Sequence, residues 1–402
     1  MKVFGKEMFI RLCGDIRRLR ASPTRVSILR GLQEDIVREI SRCERRIRLL
    51  RRKMVGEKGR LAGKEGGRLD RAEARTTKRR VARIFARIEE WQLRLSILRS
   101  LSDCLVFIYV NKWDIKPFAR KEHAGFITGK QGLRFELKVL RLILSAGIPA
   151  ILADITNCVR HGDILVIKDG LPIPLECKSG RETGDRNARQ SDAAQAVLDY
   201  LRTGTGQHPS FPGWTMRRVP LAVTERSHRR AFANTAARAL RNGWAVSFPE
   251  RGLGYLVFHS VPTNAILRRV VRRFREPPMW VGVSGTWRPE PYYYPLALAL
   301  DDPEVAWSLY VHEVTAVVFI DRAYLIQRAR DLGADIRFVD DGEWMMEVTV
   351  AIGGEPAVMK VAGQFFLRVA FELSSIEWFV QELVRKATLT NLNSSSDSPD
   401  VS

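Results

Sequence analysis

The segment HGDILVIKDGLPIPLECKSG, residues 161–180, holds the residues whose types and spacing most directly suggest chemistry. Asp169-Gly170 between two apolar runs predicts the two-residue turn of a β-hairpin. Opposing residues then carry numbers that sum to 339, which sets Asp163 across from Glu176 with Cβ atoms about 4.5–5.5 Å apart. Lys178 lies two residues beyond Glu176 and projects from the same face. Two neighbouring carboxylates repel, and in a partly buried site their joint ionisation is costly unless a cation intervenes. A hard divalent cation answers that demand. Mg²⁺ takes one or two carboxylates and keeps water and phosphate oxygens as its other ligands, with Mn²⁺ able to substitute.

The elements that must position these groups are legible around them. The pattern predicts helix 129–146, strands 149–156, 162–168 and 172–178, helix 188–203, strand 217–224, helix 228–242, and strands 244–249 and 254–259. Helices interleaved with short β-branched runs indicate an α/β domain. Projected at 100° per residue, Arg134, Lys138 and Arg141 form a polar stripe on the first of these helices. Glu136 falls in the opposite arc, among Leu133, Leu137, Leu140 and Ile143. An acid there needs a cation or a proton. The same projection puts Gln190 in the apolar arc of helix 188–203 with Ala193, Val197 and Leu201, while Gln195 points to the polar side.

Acidic helix, Gly-Asp-Ile, a hairpin to Glu-Cys-Lys, then a helix with an early Gln: this order resembles the PD-(D/E)XK nuclease superfamily over residues 120–260. The resemblance implies an α/β, restriction-endonuclease-like αβββαβ core that cleaves DNA phosphodiester bonds with Mg²⁺. It implies Asp163 and Glu176 as metal ligands, joined by the backbone carbonyl of Cys177. Lys178 would orient the attacking water or stabilise developing charge, Glu136 would assist the metal site, and Gln190 would be the accessory amide. Gly162 stands where the name-giving pattern has proline.

Charge points to a polyanionic partner. The 402 residues carry 66 Lys and Arg against 45 Asp and Glu, a net +21, and phosphates neutralised by such cations release their counterions. Residues 1–100 hold 29 of the basic and 12 of the acidic residues, a local surplus of 17. Within them Ile28, Leu32, Ile36, Ile40, Cys43, Ile47 and Leu50 recur at steps of three and four. After a Gly-rich break, Val81, Ile84, Ile88, Trp91, Leu95 and Leu98 repeat the pattern. Such a seam predicts an antiparallel helical hairpin of coiled-coil type, roughly 40 Å long. It reads as an arm along a nucleic-acid backbone (DNA, with RNA the alternative), as a solvated hairpin, or as a homodimerisation element.

Five cysteines without metal-finger spacing fit a reduced, cytoplasmic chain. No run approaches the ~18 apolar residues of a membrane span, and the start is too weakly apolar for a signal peptide. LVFIYVNKWD (105–114) and GFITGKQG (125–132) imitate nucleotide-binding motifs, but a phosphate loop needs Gly-x₄-Gly-Lys and then Ser or Thr. His161 reads as a strand-end surface residue within reach of phosphate, and Cys177 as pointing away from the site.

The expected organisation is a basic helical hairpin over 1–115, the nuclease-like domain over 118–260, an α/β region without evident chemistry over 263–387, and a low-complexity disordered tail over 388–402. The aromatic run MWVGVSGTWRPEPYYYP reads as core or as a base-stacking surface. The competing function is a non-catalytic nucleic-acid-binding or scaffolding protein that keeps the fold and works through its arm.

Overall fold

The apolar steps of the basic quarter become long helices in the computed structural model, which describes residues 5–63, 69–119, 124–177, 185–207, 213, 215–259, 263–286, 291–339, 341–342 and 344–396. After α1 (Lys6–Ala21), α2 spans Val26–Leu61 and α3 Arg71–Tyr109. At about 1.5 Å per residue each long helix extends about 54–58 Å, more than the sequence suggested. Asp70 starts α3 with a capping box: its side chain accepts the Glu73 N–H at 2.8 Å, and the Glu73 carboxylate accepts the Asp70 N–H at 3.4 Å. Of the α2 seam Leu32, Ile36, Ile40, Cys43 and Ile47 are buried and its ends, Ile28 and Leu50, half-buried; Ile88, Leu95 and Leu98 of α3 are buried too. Val81, Ile84 and Trp91 are only half-buried, so the distal part of the hairpin is thinly packed. Every residue from Ile97 to Phe107 is buried, and LVFIY ends this helix where it imitated a strand.

The helices are followed by α4 (Leu133–Ser145), β1 (Ala150–Leu152), β2 (Ile164–Lys168), β3 (Leu171–Leu175), α5 (Asp185–Thr203), β4 (Thr205–Gln207) and β5 (Thr215–Arg217). β1, β2 and β3 form an antiparallel sheet in that order, and β4 pairs with β5 in a separate ladder. Asp169 and Gly170 take φ of 52° and 77° at the tip of the β2–β3 hairpin, the doubly left-handed turn that suits the strand twist. The ladder runs from Lys168↔Leu171 to Ile164↔Leu175, the expected register.

The hairpin is built into this sheet. Buried Gln33 of α2 donates to the Ala150 carbonyl and accepts the Leu152 N–H, both at 2.8 Å, so its amide acts as a neighbouring strand for β1. Asp103 of α3 accepts the N–H groups of Asn157 (2.7 Å) and Cys158 (3.2 Å). The chain divides into two compact units between Arg217 and Arg218.

The second unit contains α6 (Arg229–Asn242), β6 (Trp244–Glu250), β7 (Leu253–Phe258), α7 (Asn264–Val271), β8 (Met279–Val283), α8 (Leu296–Ala299), α9 (Pro303–Tyr310) and β9 (Thr315–Ile320). It continues through α10 (Arg322–Asp331), β10 (Ala334–Phe338), β11 (Trp344–Ile352), β12 (Glu355–Ala362), α11 (Gly363–Phe366), α12 (Arg368–Phe371) and α13 (Ile376–Ser396). β6 and β7, expected in the nuclease-like domain, instead form an antiparallel sheet in the order β6-β7-β9-β8. The five residues Leu253–Val257 of β7 are buried, and that strand is satisfied by a neighbour on each edge. The expected strand 217–224 does not form. Its Ala222 and Val223 N–H groups go to the buried Glu382 carboxylate, each at 3.0 Å, instead of to a ladder. Tyr292 and Tyr293 of the aromatic run are buried, the latter stacked on Phe371 at 5.0 Å, which makes them core. The tail expected to be disordered is helical through Ser396; residues 397–402 lie outside the described ones.

Gln33→Ala removes both hydrogen bonds at the β1 edge and leaves backbone groups unpaired in the interior. The expected loss is about 2–4 kcal/mol of unfolding free energy, read from the urea midpoint, whereas an unchanged midpoint would mean that β1 needs no such partner.

Candidate metal centre

Asp163 sits where the hairpin ladder ends. Gly162 before it has φ of 78°, and a Cβ there would stand 3.1 Å from Leu175 N and 3.2 Å from Leu175 O. Proline is locked near φ −65°, so this backbone excludes the residue of the name-giving motif. The Asp163 N–H donates to the Leu175 carbonyl at 2.8 Å, and its carbonyl accepts the Ala153 N–H at 2.9 Å. Its carboxylate Oδ2 accepts the Cys177 N–H at 2.8 Å. Backbone and side chain are thus both fixed between β1 and β3. Glu176, one residue past β3, is half-buried.

Glu136 comes to the same place from α4. It shares a face with buried Leu140 and Leu144, four and eight residues on, and is itself buried at 6% exposure. Its Oε1 lies 2.9 Å from where a Cβ on Gly132 would stand, so that glycine makes room for the carboxylate. Its Oε2 is buried with no hydrogen-bond partner among the described residues. Burial, then the charges of Asp163, Asp154 and Glu176, push the Glu136 carboxyl up to about 7, against the opposing pull of Lys130. The three acids expected from the sequence are therefore electrostatic neighbours.

Asp154 is a fourth acid that the sequence did not mark. It lies in the short helical turn Ala153–Ile155 after β1, and its Oδ2 pairs with Lys130 Nζ. The signal for Lys130 was present in GFITGKQG, read there only as a failed phosphate loop. That loop is held by the arm. Glu44 of α2 accepts the N–H groups of Ile127 (3.0 Å) and Thr128 (2.8 Å), and Arg48 donates to the Thr128 carbonyl. Arg99 of α3 donates to the Gly125 carbonyl at 2.5 Å and pairs with Glu44 at 3.5 Å.

Cys177 is half-buried, and burial, then Asp163, Glu136 and Glu176, push its thiol up to about 11. His161 is buried at 3% exposure, not a surface residue at a strand end. Lys178 lies outside the described residues, as does the side chain of Gln190, whose backbone belongs to α5. Of the Cys177 backbone, the contact seen is its N–H to Asp163.

Among the described residues no three His, Cys, Asp or Glu side chains stand as a ready-made metal cage. What the site offers is donor chemistry: three carboxylates and one lysine act electrostatically on Glu136, the most buried acid of the set, one oxygen of which has no hydrogen-bond partner among the described residues. No family model, curated protein or solved structure matches the chain.

Without metal, folding raises the Glu136 pKa, so the folded chain holds a proton that the unfolded chain releases near 4.5. That contribution is fully present at low pH and is lost as pH rises through about 7. Glu136→Gln is expected to melt higher than wild type at about pH 8 in EDTA, with the gap closing toward pH 4. Calorimetry across that range checks it; equal melting temperatures at pH 8 would contradict the crowding.

Proposed function

We propose that the chain is a Mg²⁺-dependent nuclease that hydrolyses DNA phosphodiester bonds, more endo- than exonucleolytic. The observation that carries this reading is buried Glu136, with one oxygen unbonded among the described residues, under the charges of Asp163, Asp154 and Glu176. Asp163 and Glu176 would hold the ion, with Glu136 beside them and the Cys177 carbonyl completing the set. The bound ion would supply Lewis-acid polarisation of the phosphoryl group and a more acidic water. Lys178 would orient the attacking water and offset charge on the phosphoryl oxygens. Lys130, paired with Asp154 at the rim, adds a second cation.

The chain order α4-β1-β2-β3-α5-β4 follows the one the PD-(D/E)XK resemblance implies, although β4 pairs with β5 in a ladder separate from the β1-β2-β3 sheet, and the backbone at Gly162 accounts for the missing proline. The exposed cations of α2 and α3 would supply sequence-independent grip on the backbone. One centre nicks one strand; cutting both would use two copies meeting through the hairpin. Among the described residues no helix is long and apolar enough to cross a membrane, which agrees with a cytoplasmic setting. Restriction, repair or defence against phage are suitable settings.

Supercoiled plasmid incubated with Mg²⁺ or EDTA provides the test. Wild type is expected to nick with Mg²⁺ only, and Asp163→Ala or Lys178→Ala to lose about a hundredfold or more of the rate while still shifting DNA. Lys178→Ala cutting like wild type would refute the mechanism. Metal-independent shifting with no cutting by any form would favour the non-catalytic binder.

A further inference from the structure

The hairpin carries a second concave surface that the carboxylate centre does not use. A groove of about 310 Å³ opens between α2 and α3, bordered by Arg42, Arg46 and Lys53 on one helix and Arg87, Trp91 and Arg94 on the other. Leu49 and Leu50 form part of its wall, and Glu90 is its single acid. Glu90 is already matched by Arg94, at 2.7 Å. Among the described residues no carboxylate pairs with Arg46, Lys53 or Arg87, so at least three cations remain uncompensated there. Arg42, Arg46 and Lys53 lie on the face of α2 opposite Glu44 and Arg48, which grip the loop beside the carboxylates. The groove is therefore separate from the hydrolytic site.

We infer that this groove holds an unpaired DNA strand, its phosphates on Arg46, Lys53 and Arg87 and one base against Trp91. A surplus of cations alone would suit any polyanion. Trp91 narrows the choice: it borders the groove as a half-buried indole, with the Arg94 guanidinium 4.6 Å from its ring centroid. Unpaired bases stack on such surfaces whatever their identity, while the backbone follows the positive charge. A duplex keeps its bases inside and offers a groove of this kind phosphates only. The volume is at the lower end of the range, about 300–1,000 Å³, that encloses a small ligand, enough for one nucleotide and not for a base pair.

This rests on the nucleic-acid partner of the proposed function and not on its hydrolytic step. The test is anisotropy of labelled oligothymidylate of 20 nucleotides in EDTA, with a 20-base-pair duplex beside it. The triple variant Arg46→Ala, Lys53→Ala, Arg87→Ala is expected to bind the single strand at least tenfold more weakly. Its log–log salt slope is expected to fall by about 2, at about 0.7 per lost phosphate contact. Trp91→Ala is expected to lose about tenfold and Trp91→Phe less than threefold, with melting curves confirming that each variant folds. Wild-type affinity and slope in the folded triple variant would overturn the inference. So would an equal loss for duplex, or groove-dependent binding of polyglutamate without that of oligothymidylate, which would assign an acidic protein partner. Binding is read without cleavage, so a failed groove leaves the carboxylate centre standing, and a chain that never cuts can still hold the strand.

Discussion

Repulsion among carboxylates is the constraint on which the rest of the candidate site depends. Glu136 from a helix, Asp154 from a short turn, and Asp163 and Glu176 from a hairpin reach one corner of the first unit, where burial weakens the screening that would separate their charges. The chain satisfies part of this demand itself. Asp163 receives a backbone N–H, and Asp154 receives a lysine. Glu136 receives neither at one of its oxygens, and its raised pKa is the measure of the shortfall. A proton relieves it at low pH; in the proposed reading a divalent cation would relieve it at neutral pH.

The long helices do more than present positive charge. Gln33 completes the edge of the small sheet, Asp103 caps the turn that follows β1, and Glu44, Arg48 and Arg99 fasten the loop that ends in Lys130. The same hairpin that would grip DNA thus shapes one wall of the carboxylate corner. A three-stranded sheet whose first strand has three residues needs this support, because so short a strand contributes few ladder bonds of its own.

Local signals in the sequence reached far into the site. Asp169-Gly170 determines its own turn type, and turn type determines register, so the ladder from Lys168↔Leu171 to Ile164↔Leu175 followed from two residues; beyond it Asp163 donates to the Leu175 carbonyl, and no pairing with Glu176 continues the ladder. Glu136 was legible from helical phase, since an acid amid leucines on a buried face is conspicuous. What stayed hidden depends on partners distant in the chain. Lys130 meets Asp154 only because a loop is held by Glu44, more than eighty residues earlier. β6 and β7 look like a continuation of the first domain until β9, some sixty residues later, takes its place beside β7. The segment 217–224 has strand-like composition, but a buried glutamate on α13 captures its N–H groups. Hairpins and helix faces are written in neighbouring residues; the pairing of strands across domains is not.

Proton release on metal binding tests the central claim most directly. A cation that enters this corner must displace the proton that Glu136 holds with a pKa of about 7. Calorimetric titration with Mg²⁺ or Mn²⁺ at pH 7, in buffers of different ionisation enthalpy, is predicted to show about half a proton released per ion. That release is predicted to approach one at about pH 6 and to vanish in Glu136→Gln. Binding with no proton release at either pH, or no binding to the wild-type chain, would contradict the account.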